Sequence, residues 1–140
     1  MRMLALDVGD RRIGVALSDP TGTIASPLTT IHRSNEKRDQ QTIAELIVEH
    51  TVECVVVGMP WTLRGEAGPQ AQRVLRFGRR LEELVSVPVA YWDERHSTSE
   101  AERILGPRRR GRRRSASGRV DEVAAAVILR SYMDSLQPGS

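Results

Sequence analysis

The sequence is poor in cysteine, lysine and long apolar runs, and each shortage excludes something. Its one cysteine, Cys54, lies in an apolar run. A single chain therefore forms no disulfide, and the pattern fits a cytoplasmic protein with a buried, inert thiol. No stretch approaches the ~18 consecutive apolar residues of a membrane-spanning helix. The opening residues MRMLALDVG lack the small-residue cleavage site of a signal peptide and run straight into a charged turn. His32, His50 and His96 have no mutual spacing that suggests a metal site or a triad, and without a Cys/His cluster there is no zinc site. No internal repeat is visible. Lys37 is the only lysine, so arginine carries almost all of the positive charge.

That charge is unevenly placed. The 140 residues suffice for one domain with a single core, and the formal net charge is +3. Residues 108–114, RRRGRRR, hold six arginines and no acid, so the remainder of the chain carries a net −3. A mildly acidic body with one strongly basic segment suits a protein that touches phosphate, although a solvated loop would have the same composition.

Met3 to Val8 alternates as a strand, with Leu4, Leu6 and Val8 on one face and Met3, Ala5 and Asp7 on the other. Gly9-Asp10-Arg11 makes a turn, and Arg12 to Asp19 returns as a second strand. In that strand Gly14 and Ala16 leave room above one face, as if something packs closely there. A third strand, Thr23 to Ile31, contains Pro27 and belongs at a sheet edge. Ser34-Asn35-Glu36 starts a helix that runs to about His50. VECVVVG, residues 52–58, reads as a strand covered on both faces. A Gly-rich loop to Pro69 leads to a helix over Gln70–Val85, with Val74, Leu75, Gly78, Leu81 and Leu84 inward. Val87–Asp93 is the fifth strand. Ser97-Thr98-Ser99-Glu100 resembles a capping box before a short helix that ends near Leu105. Gly106–Gly118 is a basic loop, and Val120–Leu136 is the last helix. Three hairpin strands followed by alternating helices and strands predict an α/β protein: a mixed five-stranded sheet, an antiparallel meander and then parallel strands, with helices on both faces.

The chemistry lies in four acids: Asp7, Asp93, Glu94 and Asp121. A carboxylate at Asp7, inside the apolar run LALDV, is costly without a partner. Asp93 and Glu94 end the fifth strand and point to opposite faces, so only one of them joins Asp7. Asp121 is expected in the first turn of the last helix, where acids often serve as caps. It shares a helix face with Ala125, Ile128 and Tyr132, however, and that face should meet the sheet. Carboxylates gathered at one sheet end repel one another, and cations relieve the repulsion. Oxygen-only ligands suit Mg²⁺ or Mn²⁺. A pair of such ions ~3.5–4 Å apart activates water for phosphodiester hydrolysis. Arg11 and Arg12 in the first turn are candidate phosphate clamps; Trp61 and Trp92 could stack on bases, with core packing an equal reading for Trp61 and the stronger one for Trp92.

LALDVGDRRIGVALSD, VVVGMPWTLRGEAGPQA, YWDERHSTSEAERIL and VDEVAAAVILRSYMDSL together resemble, in order and over nearly the whole chain, the YqgF/RuvX family of pre-16S rRNA nucleases and Holliday-junction-resolvase-like proteins. The resemblance implies a single ribonuclease H-like nuclease domain over residues 1–140, with 106–118 as a flexible basic loop. It implies an acidic triad of Asp7, Glu94 and Asp121, with Asp93 as the alternate, dependence on Mg²⁺ or Mn²⁺, and trimming of the 5′ end of pre-16S rRNA. Branched or single-stranded DNA is a further substrate class. Related junction resolvases carry an acid at the end of the fourth strand, where this chain has Gly58-Met59-Pro60, so that acid must come from Glu94. Arg11, Arg12, Arg95, Arg108, Arg109, Arg110, Arg112, Arg113 and Arg114 are the expected nucleic-acid contacts. Two other classes compete. An actin-like phosphotransferase uses a similar Asp-Gly hairpin but needs two lobes, for which the chain is too short. A non-catalytic nucleic-acid-binding ribosome-assembly factor differs in needing no metal.

Overall fold

The computed structural model describes residues 1–61, 68–94 and 117–137. Its strands are β1 (Met3–Val8), β2 (Arg12–Ser18), β3 (Ala25–His32), β4 (Cys54–Met59) and β5 (Val89–Asp93), and its helices are α1 (Glu36–Glu49), α2 (Pro69–Leu84) and α3 (Ser117–Ser135). The five strands form one sheet in the order β3-β2-β1-β4-β5. The β1–β2 and β2–β3 pairs are antiparallel, and β4 runs parallel to both β1 and β5. Pro27 lies in an edge strand, as a residue without an amide hydrogen should. The β2–β3 register slips between Val15 and Ala16, beside it.

Strand alternation divides the interior into two cores. On one side Leu4, Leu6, Val15, Val55 and Val57 meet Ile43 and Ile47 of α1 and Val74, Phe77 and Leu81 of α2. Burying each such side chain contributes about 1.5–3 kcal/mol. On the other side Met3, Ala5, Ala16, Cys54 and Val56 meet Ala125, Ile128, Leu129 and Met133 of α3. These sheet residues are smaller, so α3 lies close. A Cβ built at Gly14 would stand 1.9 Å from the backbone oxygen of Asp121. The room expected above Gly14 and Ala16 is filled by α3. Burial pushes the Cys54 thiol up, which keeps it unreactive.

The helix ends follow from local chemistry. Asn35 caps α1, its side chain accepting from the Arg38 amide at 2.9 Å. Pro69 opens α2, where its missing amide hydrogen costs nothing. Three expectations are corrected. Leu84 is not inward but 48% exposed. Phe77 and, past the helix end, Val85 complete the buried stripe instead. The last helix begins at Ser117, so Ser117 and Gly118 are helical and Asp121 sits a full turn inside. That placement removes the capping reading of Asp121. The expected helix near 97–105 and residues 106–116 of the basic loop lie outside the described residues.

Candidate active site

β1, β4 and β5 run parallel, so their carboxyl ends share one end of the sheet. Asp7 is the next-to-last residue of β1 and belongs by alternation with Met3 and Ala5, on the α3 side. Its partner across the β1–β2 ladder is Gly14. On β4 the corresponding position, one past the Leu6–Val57 pair, is Gly58. Asp7 is therefore flanked by two residues without side chains, and neighbouring elements fill both spaces. The Asp121 backbone covers Gly14. At Gly58 an added Cβ would lie 2.6 Å from Ile128 Cδ1 and 3.1 Å from Glu94 Oε1.

The register decides between the two acids that end β5. Asp93 pairs with Met59, which belongs to the α1/α2 core, and alternation gives Asp93 that side. Trp92 packs with the α3 core, and Glu94, two residues on, returns to the α3 side. There the Glu94 and Asp7 carboxyls hydrogen-bond. Two carboxyls can do so only if one proton is kept between them, and that proton belongs to the pair. Burial, the charge of Asp7, the hydrogen bond to it, and the charge of Asp93 push the Glu94 carboxyl up to about 8.

Asp121 points at the same sheet end but is engaged otherwise. Arg12 Nε donates to Asp121 Oδ2 at 2.7 Å, with the two side chains 38% and 24% exposed. Arg12, expected to clamp phosphate, is bound to an acid of the expected triad. Among the described residues no three His, Cys, Asp or Glu side chains stand close enough together to hold a metal ion. The donor set is nonetheless of the right kind: hard carboxylate oxygens, two of which are held apart from mutual repulsion by a single proton. A divalent cation can take that proton's place, and Asp121 can join if Arg12 lets it go.

The other expected site residues divide. Arg11 is exposed at the turn, and its carbonyl accepts from the Arg33 amide at 2.9 Å. Trp92 packs edge-on against Tyr132, with ring centroids 5.5 Å apart, and its indole nitrogen donates to Ser131 Oγ at 2.9 Å. Those contacts make Trp92 a packing residue, the stronger of its two expected readings. Trp61 packs partly against the α1/α2 core. Arg95, Arg108, Arg109, Arg110, Arg112, Arg113 and Arg114 lie outside the described residues. The sequence reading missed Gly58, taking it for the strand's end. The available signal was a glycine between Val57 and Met59 in an otherwise bulky strand, which marks a close approach.

Three comparisons bear on this geometry. A family model described as "RuvX: Holliday junction resolvase" matches residues 1–135. A protein of Caldanaerobacter subterraneus subsp. tengcongensis described as "Putative pre-16S rRNA nuclease" is 46% identical over 138 residues, covering 96% of this chain and 97% of the relative. A protein of Desulforudis audaxviator with the same description is 46% identical over 139 residues, covering 99% and 98%. Among solved structures, Thermus thermophilus RuvC in complex with a Holliday junction substrate superposes with a TM-score of 0.60 at 15% identity, over 96% of this chain and 94% of that one. The fowlpox virus resolvase superposes with a TM-score of 0.56 at 12% identity, over 97% and 99%. At such identities these matches establish the ribonuclease H-like fold of the resolvases, as expected from the sequence.

Proposed function

The chain belongs to the RuvX family, and from that premise we propose that it is a metal-dependent nuclease that trims the 5′ end of pre-16S rRNA in the cytoplasm, with Asp7, Glu94 and Asp121 as its acids. The observation that carries the reading is the Asp7–Glu94 pair, two carboxyls sharing one proton at the carboxyl end of the sheet. A core does not need such a pair. Removing it would relieve repulsion and desolvation, so its presence asks for a chemical reason.

Asp7, Glu94 and Asp121 would hold Mg²⁺ or Mn²⁺, and Asp93, on the far side of the sheet, would not. When bound, the ions lower the pKa of a water and stabilise the charge that develops on the phosphate. Asp7 is fixed by the central strand of the sheet, which gives the site a rigid anchor. Glu94, at the end of an edge strand, brings the second carboxylate. Arg12 holds Asp121 until substrate arrives and then exchanges it for a phosphate oxygen, a planar donor moving between two anions. Arg11, Arg95 and the run Arg108–Arg114 supply further phosphate contacts. Branched or single-stranded DNA offers the same phosphodiester and is a secondary substrate.

The alternative, a nucleic-acid-binding assembly factor without catalysis, draws support from the Arg12–Asp121 ion pair, which neutralises one acid of the three. Cleavage of pre-rRNA leader, single-stranded RNA, single-stranded DNA and four-way junctions in Mg²⁺ or Mn²⁺ separates the two. Asp7→Asn should abolish cleavage and the heat of Mn²⁺ binding. In metal-free buffer it should melt no lower than wild type, because one repulsive charge is gone. Cleavage that survives Asp7→Asn, or a wild type that neither binds Mn²⁺ nor cleaves any substrate, would overturn the nuclease reading.

A further inference from the structure

Across the sheet from the acids, under the β1–β2 turn, lies a cavity of about 230 Å³. Its walls come from the turn itself, the segment from Arg33 to the start of α1, and α2 from Gln70 to Arg80. Four guanidinium groups line it: Arg33, Arg73, Arg76 and Arg80. Arg33 is built in. Its Nε donates to the buried Asp39 at 3.2 Å, its Nη1 donates to the Gly9 carbonyl at 2.9 Å, and its guanidinium lies over the Phe77 ring, 5.2 Å from the centroid. These contacts hold the fork in one orientation at the cavity wall.

The other three arginines are exposed and fall on one stripe of α2, at spacings of three and four residues. Along the helix they span about 10 Å at ~1.5 Å per residue. The three charges stand about 5 Å apart on average along the axis, wider than the ~3.4 Å per charge of one strand of a duplex but within the reach of long, flexible side chains to neighbouring phosphates. Helix electrostatics do not explain the stripe. Acids favour a helix amino end and cations a carboxyl end. In α2 the first turn has no acid and the last turn no base, while Glu82 and Glu83 sit at the carboxyl end. The helix carries its charge against its own dipole, as a binding surface can require and a merely solvated face does not.

We infer that this cavity and the α2 stripe form a second phosphate seat, gripping the backbone of a nucleic-acid strand on the face of the sheet opposite the acids. The ligand class follows from the nuclease reading, but the seat itself rests on the four arginines. The cavity is smaller than the ~300–1,000 Å³ of sites that enclose whole small molecules, so it takes a phosphate group while the rest of the chain runs outside. Two acids stand in its walls. Asp10 pairs with Arg73 at 3.7 Å, and Glu36 pairs with Arg80. Pairs this exposed are weak, and phosphate oxygens displace such carboxylates readily. Arg76 makes no ion pair among the described residues and is free to receive the first phosphate. Both faces meet at the same end of the sheet, where β1 turns into β2. A strand leaving the acids can therefore pass the turn at Gly9-Asp10 and reach Arg33.

The test is binding without cleavage. A short labelled single-stranded RNA is titrated in EDTA by fluorescence anisotropy across a range of salt, with the full chain as wild type, Arg73→Gln/Arg76→Gln, and Arg76→Gln alone. Each lost single-strand contact lowers the salt slope by ~0.7. The double variant should thus lose about 1.4 from the slope and the single variant about half of that. The single variant breaks no described ion pair, so it reports even if the double variant folds poorly. An unchanged slope in Arg76→Gln overturns the seat. So does a variant that loses affinity for uridine monophosphate but not for the RNA, since that would be a small-molecule site. Because the measurement is made without metal, it can fail while the Asp7→Asn cleavage test succeeds, and the reverse.

Discussion

Glu94 ties the stability of the metal-free chain to pH. Its carboxyl titrates at about 8 when folded and near the ordinary 4.5 when the environment is lost. Below 4.5 both states hold the proton, and the Glu94–Asp7 hydrogen bond contributes in full. Between 4.5 and about 8 the unfolded chain releases the proton while the folded chain keeps it, so folding grows less favourable as pH rises. Above about 8 the folded chain loses the proton too, and two half-buried carboxylates face each other. Thermal melting in EDTA should therefore fall across this window. Glu94→Gln should remove that part of the dependence, because an amide donates to Asp7 at every pH. A glutamine variant with the wild-type pH profile would mean that Glu94 is not the group that binds the proton. Strand alternation allowed either acid at the end of β5 to face Asp7, and one residue of uncertainty in the strand's end reverses the choice. The pairing of Met59 with Asp93 settles it, and pairing across strands is not written in either strand alone.

At the scale of elements, α3 is seated on glycine. A methyl group at Gly14 would meet the Asp121 backbone oxygen at 1.9 Å, and backbone cannot turn aside as a side chain can. Gly14→Ala should lift the amino end of α3 from β2, with a destabilisation at or above the ~1–3 kcal/mol typical of overpacking. At Gly58 the nearest atom is Ile128 Cδ1 at 2.6 Å, the far end of a flexible side chain, so Gly58→Ala should cost less in urea unfolding. It should nonetheless disturb Glu94, whose carboxyl lies 3.1 Å from the new methyl. Equal unfolding midpoints for the two variants would show that α3 is not pinned at Gly14. The sequence reading recovered this contact in outline, because Gly14 and Ala16 alternate with Ile13, Val15 and Leu17 and leave one face bare. It placed the start of α3 too late, because Ser115 to Gly118 has the composition of a loop. Packing of Ala125 and Ile128 on the sheet outweighs that local preference. The same limit explains Leu84: helical period alone made it inward, but α2 ends there and Val85 fills the place.

Over the whole molecule the proposed catalytic carboxylates lie on the α3 face of the sheet and the arginine stripe on the α2 face, both at one end. The run Arg108, Arg109, Arg110, Arg112, Arg113 and Arg114 falls in sequence between Glu94 and Asp121, so the chain that joins two of the acids is its most basic part. Replacing these six arginines with serine turns the net charge from +3 to −3. If the run contacts nucleic acid, RNA affinity in EDTA should fall and the salt slope should lose ~0.7 for every phosphate contact removed. Mn²⁺ affinity should change little, since no carboxylate is touched. Combined with Arg73→Gln/Arg76→Gln, the two losses in slope should add, because independent contacts on separate segments share no partner. A slope unchanged by the six substitutions, alongside one reduced by the α2 pair, would assign the grip to Arg33 and the α2 stripe and leave the run as a solvated connection.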